Sequence, residues 1–374
     1  MKENKALKPV PNGGVLGWFA TSLGRILISL FVPVVTFVVL WQGFIFLRDS
    51  QAPQIVLVGV AIIWGVGGVA LLFTVSNWLV EKLPDIWVHR IQPYVFVGPA
   101  LAILAWFLLL PTVRTLFLSF YDANSINFVG FNNFVYAFTN QIMLEAFKNN
   151  LLWLVFGTSF SVGLGLLIAV LADRTRFENV YKAIIFMPMA ISFVGAGVIW
   201  KFIYSYNGTN TGTDTIGLLN AIAIALGGTA QPWLQSQPWN NFLLIVIMVW
   251  LQTGYAMVII SSAIKGVPAE LMEAARIDGA TEIQAFFRIT IPYIQGTLIT
   301  VTTTILIFSL KLFDIVRVMT GGNFGTNVVA NEFYLERFTF GEAGRASAIA
   351  IVLLIAVIPI MIYNLRQFRE SKAF

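Results

Sequence analysis

Long apolar runs alternate with short polar stretches along most of the chain. Eight of the runs reach the roughly 20 residues that a helix needs to cross a bilayer's hydrocarbon core. They lie at Ile26–Leu47, Ile55–Val80, Tyr94–Leu118, Leu151–Ala172, Ala183–Tyr204, Phe242–Ile264, Tyr293–Met319 and Ala346–Leu365. None keeps a face for water, and in lipid a helix of that kind satisfies its own backbone hydrogen bonds. The alternating ten-residue segments of a membrane β-barrel are absent. The pattern predicts an all-α, polytopic membrane protein of about eight transmembrane helices.

Composition narrows the function classes. Of 374 residues, 58% are hydrophobic and 11% charged, whereas a soluble domain carries about 25% charged residues. So few charges cannot cover a water-soluble enzyme. The chain has no cysteine and one histidine, His89, so neither a disulfide framework nor a thiolate or histidine-ligated metal site is expected. His89, beside the inner end of the third span, reads as a solvated interfacial residue.

The net charge of +5 follows from topology, because Lys and Arg collect in cytoplasmic loops. An even number of spans puts both termini on one side. That side would hold Lys2, Lys5, Lys8, Arg25, Lys82, Arg90, Arg174, Arg176, Lys182, Lys265, Arg276, Arg288, Arg366, Arg369 and Lys372, which are 15 of the 23 basic residues. Both termini are therefore expected on the cytoplasmic side of the cell (inner) membrane, with no nucleic-acid partner. The first apolar run exceeds a signal peptide's usual 7–15 residues and lacks a small-residue cleavage site, so it reads as an uncleaved span behind a short polar tail. The stretches Tyr121–Asn150, Ser205–Asn241 and Thr320–Arg345 then face outward, rich in turn formers and nearly free of Lys.

The longest inner loop, Lys265–Pro292, is patterned as structure. Pro268 suits a first helical turn, with Glu270 and Glu273 near the positive helix end. Leu271, Ala274, Ala275, Ile277 and Asp278 continue the helix until Gly279 interrupts it. A second short stretch carries Ile283, Phe286, Phe287 and Ile289, and Pro292 opens the next span. One reading is an interfacial helix resting on lipid; the other is a docking element, with small residues that admit a partner's surface.

The spacing Glu273-Ala274-Ala275, then Gly279, then Ile289-x-Ile291-Pro292 matches the pattern EAA-x3-G-x9-I-x-L-P, with Ile291 in place of Leu. This resembles the cytoplasmic coupling loop in permease subunits of binding-protein-dependent ABC importers. Phe313-Asp314-Ile315-Val316 followed by Met319-Thr320-Gly321-Gly322 is similar to the FD-x-V-x-x-M-T-G-G element of sugar permeases. Gly322-Asn323-Phe324 replaces the usual Gly-Gly-Pro and looks most like the α-glucoside branch. The resemblance implies a tail at 1–25, two extra spans at 26–91 and a six-helix importer core at 92–374. It also implies a second permease (a heterodimer), two ATPase chains, one of them grasped through Glu273, Ala274, Ala275, Asp278 and Gly279, and an external sugar-binding protein. The sequence has no G-x-x-x-x-G-K-[ST] and no Gly-Lys pair, so ATP and Mg would bind the partner chains and this chain would carry no cofactor.

Pathway candidates come from the spans. Sugars take aromatic faces against the ring, and amides and hydroxyls against their hydroxyl groups; Trp250, Gln252 and Tyr255 offer such a set around Gly254, a residue that permits local unwinding. The resemblance carries the solute positions of maltose-type permeases onto Trp250, Leu251, Gln252 and Tyr255, and onto Ser309 and Leu312 of the following span. Leu312 departs from the amide of the maltose transporter. Thr158 is a further candidate. Lys311, Asp314 and Arg317, at i, i+3 and i+6, would form a charge ladder on one helical face, either self-neutralising or beside the outer end of the pathway. Other intramembrane glycines, among them Gly157, Gly163, Gly165, Gly195 and Gly197, are expected to allow close helix packing. Against the importer stand a lone secondary transporter or channel, using the intramembrane charges as an ion relay, and a membrane-embedded enzyme. The first leaves the structured inner loop without a purpose, and the second lacks any nucleophile–base or metal constellation.

Overall fold

The computed structural model describes residue 31 and residues 34–81, 85–173, 175–206 and 217–370. The expected tail, the start of the first span and the side chain of His89 lie outside them. Every regular element among the described residues is helical, with one isolated β-bridge between Tyr121 and Phe128. The chain divides into two compact units, Met1–Pro111 and Thr112–Phe374.

In the first unit, α1 covers residues 34–49 and α2 Gln54–Glu81. Helix α3 starts as Asp85–Leu104 and passes through a π turn at Ala105–Leu109 into Leu110–Leu118, whose residues from Thr112 on belong to the second unit. Gly43 of α1 makes room for the Trp64 ring of α2, since a Cβ there would lie 2.6 Å from its ring atoms. Phe73 stacks on Phe96 at 5.9 Å. Only 6% of the residues in the apolar window of α2 are buried.

The second unit contains α4 (Asn132–Thr139), α5 (Gln141–Ala172), α6 (Glu178–Phe186, tightening to a 3-10 turn at Met187–Ala190), α7 (Phe193–Ile203), α8 (Leu218–Ala225) and α9 (Trp239–Lys265). There follow α10 (Ala269–Ile277), α11 (Glu282–Lys311), α12 (Asp314–Met319), α13 (Val329–Tyr334, ending in a π turn at Leu335–Thr339) and α14 (Ala343–Glu370). Six helices among the described residues are long and apolar enough to span, and α6 with α7 makes a seventh if counted as one bent span. Eight were expected; the first of those runs, Ile26–Leu47, is only partly described.

Two expected spans are broken. Ala183–Tyr204 bends by 100° between α6 and α7. Ile191 is extended there, and Ser192 caps the new helix by accepting a bond from the Gly195 amide at 3.0 Å. Tyr293–Met319 stops at Lys311, turns extended at Leu312 (ψ 120°) and restarts at Asp314. Hydropathy registers neither break, because Leu312 and Phe313 are as apolar as their neighbours and a single Ser192 between Ile191 and Phe193 does not interrupt the apolar run.

Helix α9 is the centre of this unit, with 61% of its apolar window buried. Leu244, Ile247, Met248, Met257 and Ile260 pack against Trp153 of α5, Ile294, Val301 and Ile305 of α11, and Ile315 and Val316 of α12. Lipid tails are as apolar as these side chains, so close packing rather than water exclusion holds such helices together. Glycine sets the closeness. A Cβ on Gly165 of α5 would lie 2.5 Å from the Ala256 Cβ and 2.9 Å from the Met257 nitrogen. A Cβ on Gly254 would lie 2.5 Å from the Ile185 carbonyl oxygen. The expected unwinding at Gly254 is absent: α9 runs unbroken, and this glycine seats the end of α6. Gly157 and Gly197 meet Met248 and Val318 in the same way, while Gly163 faces open space.

Gly165→Ala should lower the stability of the detergent-solubilised protein by about 2 kcal/mol, the usual cost of overpacking, whereas Gly163→Ala should be close to neutral. Thermal melts followed by circular dichroism check this, and equal melting temperatures would refute the packing argument.

Candidate functional site

Three regions of the second unit bear on function. The first is the segment between α9 and α11. Helix α10 ends in a Schellman motif: the Ala280 amide donates to the Ala275 carbonyl at 2.9 Å, the Gly279 amide donates to that of Arg276 at 3.1 Å, and Gly279 sits at φ +80°. Glycine adopts that left-handed conformation without the steric cost a Cβ imposes. Two residues on, Thr281 and Gln284 form a reciprocal capping box, at 3.3 Å and 2.8 Å, that starts the next helix. Arg276 bridges the turn to Glu282 at 3.0 Å. Glu273, Ala274, Asp278 and Gly279 are exposed, Ala275 is buried, and Ile277 is 86% exposed. The second stretch is no separate helix, as the sequence reading had it. It continues through a π turn at Phe286–Thr290 into the membrane-crossing part of α11, so the turn at Gly279 is rigidly joined to a span.

The second region is a cavity of about 130 Å3 lined by Leu251, Gln252 and Tyr255 of α9, Met189, Ile191 and Phe193 at the bend between α6 and α7, and Phe308 of α11. Gln252 is buried and Tyr255 half-buried, while Met189 and Phe308 are exposed. Trp250 lines a different, larger cavity of about 460 Å3 beside Trp200, Thr253 and Pro188; the Trp250 and Trp200 rings meet edge to face at 5.8 Å. Ser309, Leu312 and Thr158 are buried and line neither cavity. The break at Leu312 divides the charge ladder. Lys311 is exposed at the end of α11, Asp314 opens α12, and the Arg317 guanidinium lies 4.6 Å from the Tyr334 ring centroid. The one-face spacing held only for an unbroken helix, and no ion pair joins the three among the described residues.

The third region is the Gly/Asn loop after α12, which a cage of asparagines fastens to the Trp239 end of the bundle. Asn149 Nδ2 donates to the carbonyls of Gly325 at 2.9 Å and Asn327 at 2.8 Å, and Asn240 Nδ2 to that of Phe324 at 2.7 Å. Asn241 Nδ2 donates to the Gly325 carbonyl at 3.0 Å and to Asn149 Oδ1 at 3.3 Å, and the Val329 amide donates to Asn150 Oδ1 at 2.8 Å. Under this cage lie two buried carboxylates. Glu332 Oε2 accepts from Asn327 Nδ2 and Glu336 Oε1 from the Tyr136 hydroxyl, each at 2.7 Å. The sequence reading missed this cage. Its signal was the pairs Asn149-Asn150 and Asn240-Asn241 beside apolar runs, where bare amides in need of partners are costly.

The family pattern of binding-protein-dependent transport system inner membrane components matches residues 161–370. The chain belongs to that family. The permease is 56% identical to the osmoprotective compounds uptake permease protein of Synechocystis sp. over 74% of its own length and 99% of that protein. It is 48% identical to the alpha-glucoside transport system permease protein of Rhizobium meliloti, over 76% and 84%. Its fold matches a chain from the crystal structure of a bacterial ABC transporter involved in the import of alginate, at 21% identity and a TM-score of 0.66, over 77% of the permease and 99% of that chain. This membership places the permease among inner membrane components of transport systems.

Burial pushes the Glu332 carboxyl of the permease above its usual range; the bond from Asn327 opposes that shift and the neighbouring Glu336 charge adds to it. The folded state therefore holds this proton more tightly than the unfolded chain does. The resulting stability is complete below the ordinary Glu range and is lost as pH rises through the raised value. Glu332→Gln should remove that component, so the wild-type melting temperature should fall relative to the variant between mildly acidic and neutral pH. A constant difference between them would contradict the assignment.

Proposed function

We propose that the permease is one membrane-spanning half of an ATP-driven importer for a neutral, polyhydroxylated solute of the sugar or α-glucoside type. An external solute-binding protein delivers the solute, and a second permease completes the pathway. Both termini and the Glu273–Gly279 segment lie on the cytoplasmic side. Two separate ATPase chains bind ATP and Mg and hydrolyse the nucleotide, one of them seated against the exposed Glu273, Ala274, Asp278 and Gly279, with Ala275 packed inward beneath that surface. Closure of the ATPases moves α10 and turns the cavity from inward-facing to outward-facing. The observation that carries this reading is α10 itself: an exposed helix with Ala274 at its surface, held by a Schellman turn and a capping box, and continuous through α11 with a span.

The solute subsite in this reading is the cavity of Leu251, Gln252 and Tyr255. An amide and a phenol beside Phe193 and Phe308 offer the hydrogen bonds and flat faces that a hydroxylated ring takes. At about 130 Å3 it is smaller than the roughly 300 Å3 at which a pocket takes a drug-sized ligand, so it widens during the cycle or receives one ring at a time. Trp250, with Ser309, Leu312 and Thr158, serves from behind that subsite or along the pathway. The relatives' transport of osmoprotective compounds and alpha-glucosides supports the solute class. The stand-alone transporter is disfavoured by family membership and by the divided charge ladder, which leaves Lys311 and Asp314 on different helices.

Purification of the solubilised complex should bring down an ATPase chain, and proteoliposomes of it should take up labelled maltose, sucrose or trehalose in an ATP-dependent way when the binding protein is present. Proline at Gly279 cannot adopt a positive φ, so Gly279→Pro should abolish uptake while the spans still insert; normal uptake would refute the coupling role. Gln252→Ala and Tyr255→Ala should each raise the half-saturating solute concentration about tenfold, equivalent to ~1.4 kcal/mol, with assembly intact. Unchanged uptake kinetics in both would remove them from the subsite.

A further inference from the structure

At the Lys265 end of the second unit, five side chains join three helices. Asp173 caps α5, Glu178 and Lys182 belong to the first turns of α6, and Ser261 and Lys265 to the last turns of α9. The Lys182 ammonium donates to Asp173 Oδ1, to Ser261 Oγ and, at 2.5 Å, to Glu178 Oε1. Ser261 Oγ donates to Asp173 Oδ1 at 2.7 Å, and the Lys265 ammonium donates to Glu178 Oε1. The inner part of the cluster is enclosed, with the side chains of Lys182 and Asp173 15% and 13% exposed and Ser261 2% exposed, while Lys265, 54% exposed, closes its outer edge. Charged groups held that far from water are tightly directional, and removing one partner leaves the others uncompensated.

Its position gives the cluster a mechanical consequence. Lys265 is the last residue of α9, and only Gly266, Val267 and Pro268 separate it from α10. A displacement of α10 therefore reaches the core by two routes. One is the rigid turn into α11. The other is the end of α9, which the cluster fastens to α5 and α6. The cavity of Gln252 and Tyr255 lies between these routes: α9 and the residues just after α6 form most of its wall, and Phe308 of α11 forms the rest.

Resting on the importer reading above, we propose that Asp173, Glu178, Lys182, Ser261 and Lys265 form a transmission collar. The collar makes α5, α6 and α9 move as one body, so that motion of α10 changes the cavity instead of merely swinging the end of α9. These are positioning residues: none touches solute or nucleotide. Without the collar, α6 lags behind α9, and ATP-driven movement of α10 is spent without reshaping the wall that Met189, Ile191 and Phe193 share with Gln252.

The test uses the permease assembled with its companion chains in proteoliposomes, with the binding protein and whichever of labelled maltose, sucrose and trehalose is taken up fastest, and reads ATP consumed per solute imported. Lys182→Met and Ser261→Ala should leave the complex assembled and hydrolysing ATP but raise that ratio about fivefold or more, the lower range of allosteric couplings. Lys182→Arg, which keeps the charge and the donors, should stay near wild type. Should Lys182→Met fail to assemble, Ser261→Ala decides, because it removes only a hydroxyl and leaves every charge in place. An unchanged ratio in the assembling variants overturns the collar while leaving the importer intact. Wild-type uptake that does not depend on ATP overturns the importer reading and the collar with it.

Discussion

The second unit depends on how closely helix backbones approach α9. In hydrocarbon an unpaired peptide group has no water to turn to, so a span breaks only where protein covers the break. The break at Leu312 is covered in this way, being 5% exposed, whereas Ser192 at the first break is exposed and it is the flanking helix that reaches α9. The end of α6 sits on Gly254, where the Ile185 carbonyl comes within 2.5 Å of the missing Cβ, and α12 sinks Ile315 and Val316 into the core that α9 organises. The short helices beyond the breaks then meet each other, Gly197 of α7 against Val318 of α12. The bend that places Met189, Ile191 and Phe193 beside Gln252 and Tyr255 is therefore a consequence of glycine on α9.

Reading the sequence recovered what hydrophobicity alone encodes. Helical class and the approximate positions of the long helices followed from runs with no polar face, and the turn at Gly279 followed from a helix-stop glycine after a Pro-started helix. What it lost were features that depend on a partner distant in the chain. Leu312 and Phe313 are apolar, so nothing local marks the stop between Lys311 and Asp314, and an i, i+3, i+6 spacing was read through a break. Gly254 could equally mean unwinding or close approach; only the position of Ile185, 69 residues earlier in the sequence, separates the two. The asparagine cage joins residues more than 170 positions apart. The capping box at Thr281 and Gln284 was legible and went unread.

The candidate site was legible in part. Leu251, Gln252 and Tyr255 share a cavity, and sequence grouped them. Sequence also grouped Trp250 with them, although it lines a separate cavity with Trp200. The lining from Met189, Ile191 and Phe193 could not be anticipated, because it exists only once the fifth run folds back by 100°.

Taken together, the contacts of α5 with α9 divide the second unit mechanically. Near the Trp239 end, Asn241 donates to Asn149 at 3.3 Å. At mid-height Gly165 lies against Ala256 and the Met257 backbone. Near the Lys265 end, Ser261 donates to Asp173 at 2.7 Å. Two helices fastened at three heights cannot tilt or slide against each other without breaking at least one fastening. Helix α11 is held differently: side-chain packing of Ile294, Val301 and Ile305 joins it to α9, and the turn at Gly279 joins it to α10. Apolar packing tolerates small sliding that a directional hydrogen bond between enclosed groups does not. The boundary of least resistance therefore runs between α9 and α11. It passes through the cavity, with Gln252 and Tyr255 on one side and Phe308 on the other.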